Sequence, residues 1–249
     1  MKRLSINSDV GEGVVNESAL MPYLKSCSIA CGGHYGNEET MIKTAKLAIS
    51  HGVNIGAHPS YPDKINFGRN EMVISLNDLK ESLHKQISSL SVVLSNLGVD
   101  KLDHIKAHGA LYHKCFNDVE VAKSFVQVVK LFKNVKILAP YKSVVSKIAK
   151  DYGVQVDYEV FLDRNYNDDY TLVSRGEANS MLENGIEMSR RYKMVVNKSK
   201  VKTISNNFIF IVGDTFCIHG DTNNSHILLN NFYDNYFFND NFNFVCSTY

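Results

Sequence analysis

The spacing of apolar residues along this chain changes between that of strands and that of helices. Near the N-terminus, this change predicts a strand–helix–strand unit. A short apolar run from Cys27 to Cys31 stops at two glycines. The next stretch carries apolar residues at helical spacing and closes at His51-Gly52, which is typical of a helix C-terminus. Val53 to Ala57 is then predicted to form a second buried strand. The three segments together predict a βαβ unit with parallel strands.

The same alternation continues through most of the chain. Further strands are predicted over residues 3–8, the short run before 106, 136–139, 155–161 and 215–219. Helices are predicted over residues 76–98, 118–132, 142–152 and 181–197, with a last short helix from about 224. A hairpin turned at Asn206-Asn207 is predicted over residues 201–212. About seven strands, most followed by helices, predict a distorted, TIM-like (β/α) barrel with seven units, in one domain spanning residues 1–249.

Histidines follow the two strands of the predicted βαβ unit at equivalent points. His34 and His58 each come just after a strand end and a glycine-containing segment. The carboxyl ends of parallel strands are where α/β folds build their sites, so the pair favours a functional site over two hydrogen-bonded packing residues. Asp9 follows the first strand at the same edge, and Glu12 lies in the glycine turn after it. Either acid could instead be a turn or solvated residue.

A lysine in the fourth strand is the most informative single position. Lys106 lies in a short buried strand, where an ammonium group is costly unless it is paired or faces a polar cavity. The alternative is a lysine whose stem snorkels out of the barrel. His108 follows two residues later and is expected to enter a glycine turn.

Charged residues cluster again after the sixth strand. The passage EVFLDRNYNDDYTLVSR contains Glu159, Asp163, Arg164 and Arg175 and interleaves them with aromatic residues. A charge run is usually a solvated face, but this one follows an apolar strand, which favours a loop that covers a substrate. The last strand ends in HGDT, at residues 219–222.

Composition narrows the class of protein without identifying it. The chain has 249 residues, 44% of them hydrophobic, and a formal net charge of +1, which gives no reason to expect nucleic acid or an anionic membrane as a partner. The N-terminus turns polar too soon for a signal peptide, and five cysteines without a CxxC pair suggest reduced thiols. A cytoplasmic location is therefore expected. Asparagine is crowded into the C-terminal third, which we interpret as compositional drift or a flexible tail.

The ordered motifs resemble a known family. NSDVGEG, IACGGHYGN, IGAHPSYPD with FGR, IKAHGALYH, EVFLDRNYNDDYTLVSR and CIHGDT resemble the LamB/YcsF family over nearly the whole chain up to about residue 222. The resemblance implies a distorted seven-stranded barrel related to glycoside hydrolase and deacetylase barrels. It also implies the A subunit of an ATP-dependent 5-oxoprolinase, which acts with B and C subunits to open 5-oxo-L-proline to L-glutamate.

The resemblance also implies site residues, one motif at a time. Catalytic roles fall on Asp9, His34, His58, Lys106, His108 and Asp221. Substrate-binding roles fall on Glu12, Glu159, Asp163, Arg164, Arg175 and His219. The sequence departs from the family pattern in or beside these motifs: Gly33 stands where phenylalanine is usual, Ser60 where glycine is usual and Ala107 where proline is usual, and Val14-Val15 replaces phenylalanine-glycine.

Lactam opening requires a cation for the substrate carboxylate, donors for an oxyanion, an activated water and a proton for the leaving nitrogen. The ionisable residues could supply all of these, with the choice of base left open. The chain has no GxxxxGK[ST] loop, so ATP is expected as a co-substrate handled together with partner subunits.

Two alternative functions remain open from the sequence. One is a metal-dependent deacetylase or amidohydrolase with Asp9, His34 and His58 as ligands, a set that suits zinc, so a divalent metal is possible. The other is a non-catalytic carbohydrate- or metabolite-binding barrel. The density of ionisable groups at one edge argues against the second alternative, because ordinary binding sites rely more on apolar lining.

Overall fold

The structure describes nearly all residues of the chain. The protein is represented by a computed structural model, in which residues 4–14, 16–222 and 224–238 are described. Arg3, the first residue of the predicted first strand, lies outside the described residues, as do residues 239–249 of the asparagine-rich tail.

Short strands recur throughout the described residues. They are β1 (Ile6–Val10), β2 (Ser26–Ala30), β3 (Asn54–His58), β4 (His104–Ile105), β5 (Lys136–Pro140), β6 (Gln155–Phe161), β7 (Lys200–Lys202), β8 (Phe208–Phe210) and β9 (Thr215–Cys217). Seven of them pair in parallel and close a barrel in the order β1-β2-β3-β4-β5-β6-β9. The remaining two, β7 and β8, form a separate antiparallel hairpin. The predicted seven-stranded, TIM-like (β/α) barrel is confirmed.

Helices alternate with the barrel strands and pack around them. They are α1 (Glu17–Leu20), α2 (Glu38–Ser50), α3 (Leu76–Asn96), α4 (Gly109–Asn117), α5 (Val119–Val129), α6 (Val144–Asp151), α7 (Gly185–Lys198) and α8 (Ser225–Phe238). Side-chain caps set several of their starts. Asn37 and Thr40 form a capping box at the start of α2, and the carboxylate of Asp118 accepts from two backbone N–H groups at the start of α5.

Two helices were not predicted from the sequence. The short α1 carries little apolar periodicity, and α4 begins at the glycine that was expected to mark only a turn after His108. Helix α7 begins at Gly185, four residues later than predicted, because the preceding segment forms an irregular loop. The predicted hairpin is confirmed, but it turns at residues 204–206, and Asn206 has a positive φ of 64° at the last of these positions.

The apolar core lies between the barrel and its helices, whereas the barrel interior is polar. Leu83, Ile87 and Leu90 of α3 are fully buried against the outside of the barrel. Buried polar side chains on the strands and at their ends include Asn7, Asp9, His104, Lys106 and Glu159. The apolar side chains are buried outside the barrel, and the charged ones inside it. Since buried charges are costly when unpaired, the charged groups of the interior must neutralise one another. The fold therefore concentrates ionisable groups along the barrel axis.

Two further observations bear on the class of protein. Among the described residues, no helix combines the length and apolar character that a membrane span needs. In the part of the chain that the structure describes, Cys27, Cys31, Cys115 and Cys217 are free and buried.

Candidate active site

Lys106 lies in the barrel interior between two carboxylates. Its side chain is 2% exposed, and its Nζ atom lies 3.0 Å from Asp9 Oδ1 and 2.8 Å from Glu159 Oε1. The Sγ atom of Cys217 is 3.3 Å from the same nitrogen. Burial alone would lower the pKa of Lys106, but Asp9, Cys217 and Glu159 hold it well above its usual value. Lys106 is therefore a buried cation, and the snorkelling alternative is excluded.

Asp9 is held in its charged form by two neighbours. Burial alone would raise the pKa of this carboxyl group, but His58 and Lys106 hold it well below its usual value. The Nε2 atom of His58 lies 3.3 Å from Asp9 Oδ2. Burial would lower the pKa of His58, yet the charge of Asp9 raises it above its usual value. Asp9 and His58 therefore form a buried carboxylate–imidazolium pair.

His58 and His108 meet in an arrangement that requires a cation between them. His58 Nδ1 lies 2.9 Å from the carbonyl oxygen of Lys106, and His108 Nε2 lies 2.9 Å from that of Phe67. A carbonyl only accepts, so both of these nitrogens carry the hydrogen. The opposite nitrogens, His58 Nε2 and His108 Nδ1, face each other at 3.0 Å. Two lone pairs cannot bond to each other, so a proton or another cation must lie there.

Glu12 joins this pair together with His34. Its Oε1 atom lies 2.9 Å from His34 Nε2, 3.3 Å from His108 Nδ1 and 3.8 Å from His58 Nε2. The rings of His34 and His108 are stacked, with centroids 3.6 Å apart. Burial lowers the pKa of His34 to about 4, and it also lowers the pKa of His108. The proton between the two facing histidines therefore belongs to His58.

The same atoms have the geometry of a metal-binding set. Glu12 Oε1, His58 Nε2 and His108 Nδ1 lie within 4.8 Å of one another, and the far nitrogen of each histidine is held by a backbone carbonyl. Metal-bound histidines characteristically donate their other N–H in this way. A second set consists of Asp9, Cys217 and His219. The residues present fit a divalent cation of the zinc type, but not with the predicted ligands. His34 belongs to neither set, because its Nε2 atom is used by Glu12.

Close backbone contact fixes the histidines in place. Gly68 and Gly109 meet so tightly that a Cβ on Gly109 would lie 2.5 Å from the carbonyl oxygen of Gly68. Both glycines have positive φ, of 63° and 55°. The contact lets the loop after β3 reach over His34 and His108, whose rings Phe67 touches at centroid distances of 5.1 and 5.4 Å.

Ser60 and Gln86 occupy the space beside Gly33. A Cβ on Gly33 would lie 2.3 Å from Gln86 Oε1 and 2.4 Å from Ser60 Oγ. Gln86 also accepts a hydrogen bond from the backbone of Ser60 and donates one back to it. Residue 33 is therefore small here because Ser60 and Gln86 fill the adjoining space.

His219 is oriented by a buried carboxylate. Asp163 is fully buried, and its Oδ2 atom accepts from the backbone N–H of His219 at 2.8 Å and lies 3.0 Å from the His219 Nδ1 atom. Thr222 Oγ1 donates to the same oxygen at 3.0 Å. Burial would raise the pKa of Asp163, but His219 and Thr222 lower it to about 2. Since Asp163 is a charged acceptor, His219 carries a hydrogen on Nδ1, and in the neutral ring Nε2 is then the acceptor.

Arginines surround the mouth of the site. Arg69 NH2 lies 2.5 Å from Asp221 Oδ2, and Arg175 NH1 lies 3.5 Å from the same oxygen. Arg164 is 3% exposed and donates from NH2 to the carbonyl oxygen of Val173, while its buried Nε atom has no hydrogen-bond partner among the described residues. An unpaired, buried N–H beside two further guanidinium groups is suited to binding an anion.

These groups enclose a cavity of about 400 Å³ at the carboxyl ends of the barrel strands. Its lining includes the predicted site residues Asp9, Glu12, His58, Lys106, His108, Arg164, Arg175, His219 and Asp221. Three predicted residues lie behind this lining instead, namely His34, Glu159 and Asp163, which contact Glu12, Lys106 and His219 respectively. All the predicted site residues thus lie in one connected region. Nine of them line the cavity, and three contact the lining residues from behind.

The cavity has further lining residues that the sequence reasoning did not select. Arg69, Tyr112, His113 and Phe161 belong to this group. Arg69 lies in the FGR motif, and Tyr112 and His113 are the last two residues of IKAHGALYH. Their membership of these motifs is the sequence feature that could have identified them as lining residues. Tyr112 donates from its hydroxyl group to Glu159 Oε2 at 3.0 Å. Helix α4, which was not predicted, is what carries Tyr112 and His113 to the cavity.

The fold and this site define a TIM-like barrel protein with a densely ionisable pocket at the carboxyl ends of its strands. The model of the LamB/YcsF family matches residues 4–236, and the chain belongs to that family. The 5-oxoprolinase A subunit of Haemophilus influenzae strain PittEE is 34% identical over 226 residues, which cover 90% of this chain and 92% of that protein.

Two further relatives agree with this assignment. The 5-oxoprolinase A subunit of Pyrococcus abyssi is 36% identical over 225 residues, covering 88% of each chain. The crystal structure of the lactam utilization protein from Thermus thermophilus superposes with a TM-score of 0.85 at 30% identity and covers 94% of this chain and 95% of that one. The similarity therefore extends over the barrel as a whole.

Proposed function

We propose that this chain is the A subunit of an ATP-dependent 5-oxoprolinase, which hydrolyses the lactam of 5-oxo-L-proline to L-glutamate. The single observation that carries the proposal is the composition of the 400 Å³ cavity. It combines a buried ammonium, a carboxylate–imidazolium pair and an oriented histidine with a mouth of arginines. Family membership and relatives with that name support the same conclusion.

The arginines are suited to hold the carboxylate of the substrate. Arg164 has a buried Nε–H with no partner in the described part of the chain, and Arg175 lies on the same loop. A guanidinium group binds a carboxylate through parallel hydrogen bonds, which would fix the orientation of the lactam ring. Asp221 pairs with Arg69 and Arg175, so its role in this scheme is to position their guanidinium groups.

His219 is the side chain best arranged to act as the base. Asp163 fixes the hydrogen on Nδ1, which leaves Nε2 to accept a proton from water at the cavity wall. The water oxygen then adds to the lactam carbonyl carbon, and the carbonyl oxygen becomes an oxyanion. This is the same division of work between an orienting carboxylate and a histidine base that hydrolytic triads use.

The other half of the reaction requires an oxyanion donor and an acid. Lys106 donates to Asp9 Oδ2 and to Cys217 Sγ and forms an ion pair with Glu159, and a thiol is the weakest acceptor of these. The hydrogen on the side of Cys217 is therefore the one that can turn to the oxyanion. The His58 imidazolium can give its proton to the ring nitrogen as the C–N bond breaks, which yields the amino group of glutamate.

A metal ion would take the place of the proton between His58 and His108, so a metal-bound His58 would no longer serve as the acid. Glu12, His58 and His108 would hold the ion, and when bound it would supply Lewis-acid polarisation of a carbonyl or a water. The convergence of these ligands favours, as a second candidate, a metal-dependent amidohydrolase or deacetylase. Metal analysis of protein purified without chelator separates the two functions, together with assays on acetylated and lactam substrates.

ATP and partner subunits complete the proposal. The chain has no Walker-type phosphate loop, so we assign the hydrolysis of ATP to ADP and phosphate to an assembly with B and C subunits in the cytoplasm. The barrel acts in that assembly as a single catalytic domain over residues 1–249. The test is release of glutamate from 5-oxoproline by the chain mixed with partner subunits, with and without ATP. Release that needs all the components supports the proposal, and an equal rate without this chain refutes it.

A further inference from the structure

A second cavity adjoins the candidate active site. It has a volume of about 110 Å³. Its lining is Tyr112, His113, Phe116, Asn117, Pro140, Tyr141, Glu159, Phe161, Tyr166, Tyr170, Thr171, Leu172 and Ile211. Lactam hydrolysis as derived above uses none of the aromatic side chains on the outer side of this cavity, which therefore needs a separate explanation.

The walls of this side cavity are mostly aromatic, and the hydroxyl groups of three of its tyrosines are already engaged. Tyr112 donates to Glu159, and Tyr166 accepts from the backbone N–H of Phe161 at 2.8 Å. Lys142 Nζ lies 2.8 Å from the hydroxyl oxygen of Tyr170, and it also lies 4.6 Å from the centroid of that ring. With these hydroxyls occupied, the rings present mainly their faces and edges, which suit a flat aromatic ligand.

A polar edge accompanies the aromatic walls. Asn117, the exposed last residue of α4, lines the cavity, whereas the hydroxyl group of Thr171 is already engaged by Asp169 and Asn167. An amide offers one acceptor and two donor hydrogens, which match the adjacent acceptor and donor on the edge of adenine.

The side cavity adjoins the main cavity, which carries the arginines, so a single ligand can extend from one cavity into the other. Tyr112, His113, Phe161 and Leu172 line both cavities, so the two lie side by side. The main cavity carries the guanidinium groups at its mouth. Its volume of about 400 Å³ falls in the range of roughly 300–1,000 Å³ that holds drug-sized ligands, which is more than a five-membered lactam needs.

We infer that the side cavity binds the base of a nucleotide whose phosphates extend towards Arg69, while Arg164 and Arg175 hold the substrate carboxylate. The inference rests on the proposed function, since the reaction consumes ATP, and it adds where the nucleotide lies. Base stacking on aromatic rings replaces the phosphate loop as the main anchor, because stacking needs no particular sequence motif. The chain thereby completes a nucleotide site while the partner subunits carry out the hydrolysis of ATP to ADP and phosphate.

The test is direct binding of ATP to the full, isolated chain by calorimetry, compared with adenosine and with inorganic triphosphate. ATP should bind saturably and more tightly than either fragment. Tyr141→Ala removes an aromatic wall and Asn117→Ala removes the amide, and we expect the Kd for ATP to rise by about 5- to 100-fold in Tyr141→Ala. Phe208→Ala is the matched control, because Phe208 is an exposed aromatic residue outside the cavity. Melting curves confirm that each variant is folded.

Each outcome decides the question. Absence of saturable ATP binding overturns the inference, and so does inorganic triphosphate binding as tightly as ATP. Kd values within about twofold of the parent for both Tyr141→Ala and Asn117→Ala would place the nucleotide elsewhere. Glutamate release in the presence of partner subunits is measured separately, so the proposed function can survive the failure of this inference.

Discussion

Asp163 and His219 form a buried pair in which one carboxylate oxygen accepts from both the backbone N–H and the ring Nδ1 of the histidine, at 2.8 and 3.0 Å. The pair fixes both the position and the tautomer of the ring. It places an acceptor nitrogen at the wall of a cavity in which lactam hydrolysis needs a base. Asp163 is thus a positioning residue, although it lies behind the cavity lining.

Replacing this carboxylate should affect the reaction rate more than substrate binding. Asp163→Asn removes the charge that fixes the tautomer of His219, so kcat for glutamate release should fall by about a hundredfold or more, with little change in KM. The matched control is Thr222→Val, which loses only the hydrogen bond to the same oxygen. Equal kcat values in the two variants would show that the orientation of His219 is irrelevant.

Lys106 should be required for folding stability as well as for turnover. Lys106→Met leaves Asp9 and Glu159 buried without their cation, and breaking a buried ion pair from one side costs about 3–5 kcal/mol. We expect a lower free energy of unfolding in urea titrations at neutral pH, together with loss of glutamate release. Lys136→Met is the control, since Lys136 pairs with Asp103 and Asp157 while 28% exposed. A Lys106→Met protein as stable as the parent would refute the role of the ion pair in stability.

Much of this region could be predicted from the sequence, because parallel strands deliver their C-terminal residues to one edge of the sheet. Asp9, His58 and Lys106 were placed correctly for that reason. The sequence could not show that Asp163 lies beneath His219 or that His34 stacks behind His108, because both depend on how loops fold over the barrel. The periodicity of the strands predicts which residues face the barrel axis. It does not predict which of them line the cavity and which lie behind its lining.

Helix α4 shows a second limit of the sequence. Its first residue is a glycine, which has a low helix propensity. Propensity alone therefore does not predict a helix at this point of the chain. The helix forms because Gly109 permits the close contact with Gly68, and this contact depends on a loop distant in the chain. Tyr112 and His113 were missed as lining residues for this reason. Arg69 was missed likewise, because its partner Asp221 lies 152 positions further along.

The stability of the protein should depend on pH through His34. Burial lowers its pKa in the folded state to about 4, whereas an unfolded histidine titrates near its ordinary value of about 6.5. Between these values the unfolded chain binds the proton and the folded chain does not. His34 therefore contributes stability above about pH 6.5, and this stability is lost as the pH falls towards about 4.

His34→Gln should reduce that part of the pH dependence. Folding free energies of the parent and the variant, measured by urea unfolding at about pH 7.5 and about pH 4.5, should differ in their change over this interval by up to about 3 kcal/mol. His51→Gln is a suitable control, since His51 is the C-terminal capping residue of α2, away from the site. Identical slopes for the parent and His34→Gln would contradict the assigned shift.

Arg164 should govern substrate affinity. Arg164→Gln removes the guanidinium group whose buried Nε–H has no partner within the described residues, so KM for 5-oxoproline should rise by about tenfold or more while the fold is retained. Arg190→Gln is the control for the change in net charge, because Arg190 is exposed on α7. An unchanged KM in Arg164→Gln would remove this residue from carboxylate binding.

The residues that open the lactam lie, on this proposal, in the barrel of this chain. The most direct measurement compares glutamate release from 5-oxoproline, with ATP and partner subunits present, between the parent chain and His219→Ala. We predict ATP-dependent release by the parent and a rate lower by about a hundredfold or more in the variant, with both chains folded by their melting curves. Equal release by the parent and His219→Ala, or none by the parent with every component present, would contradict it.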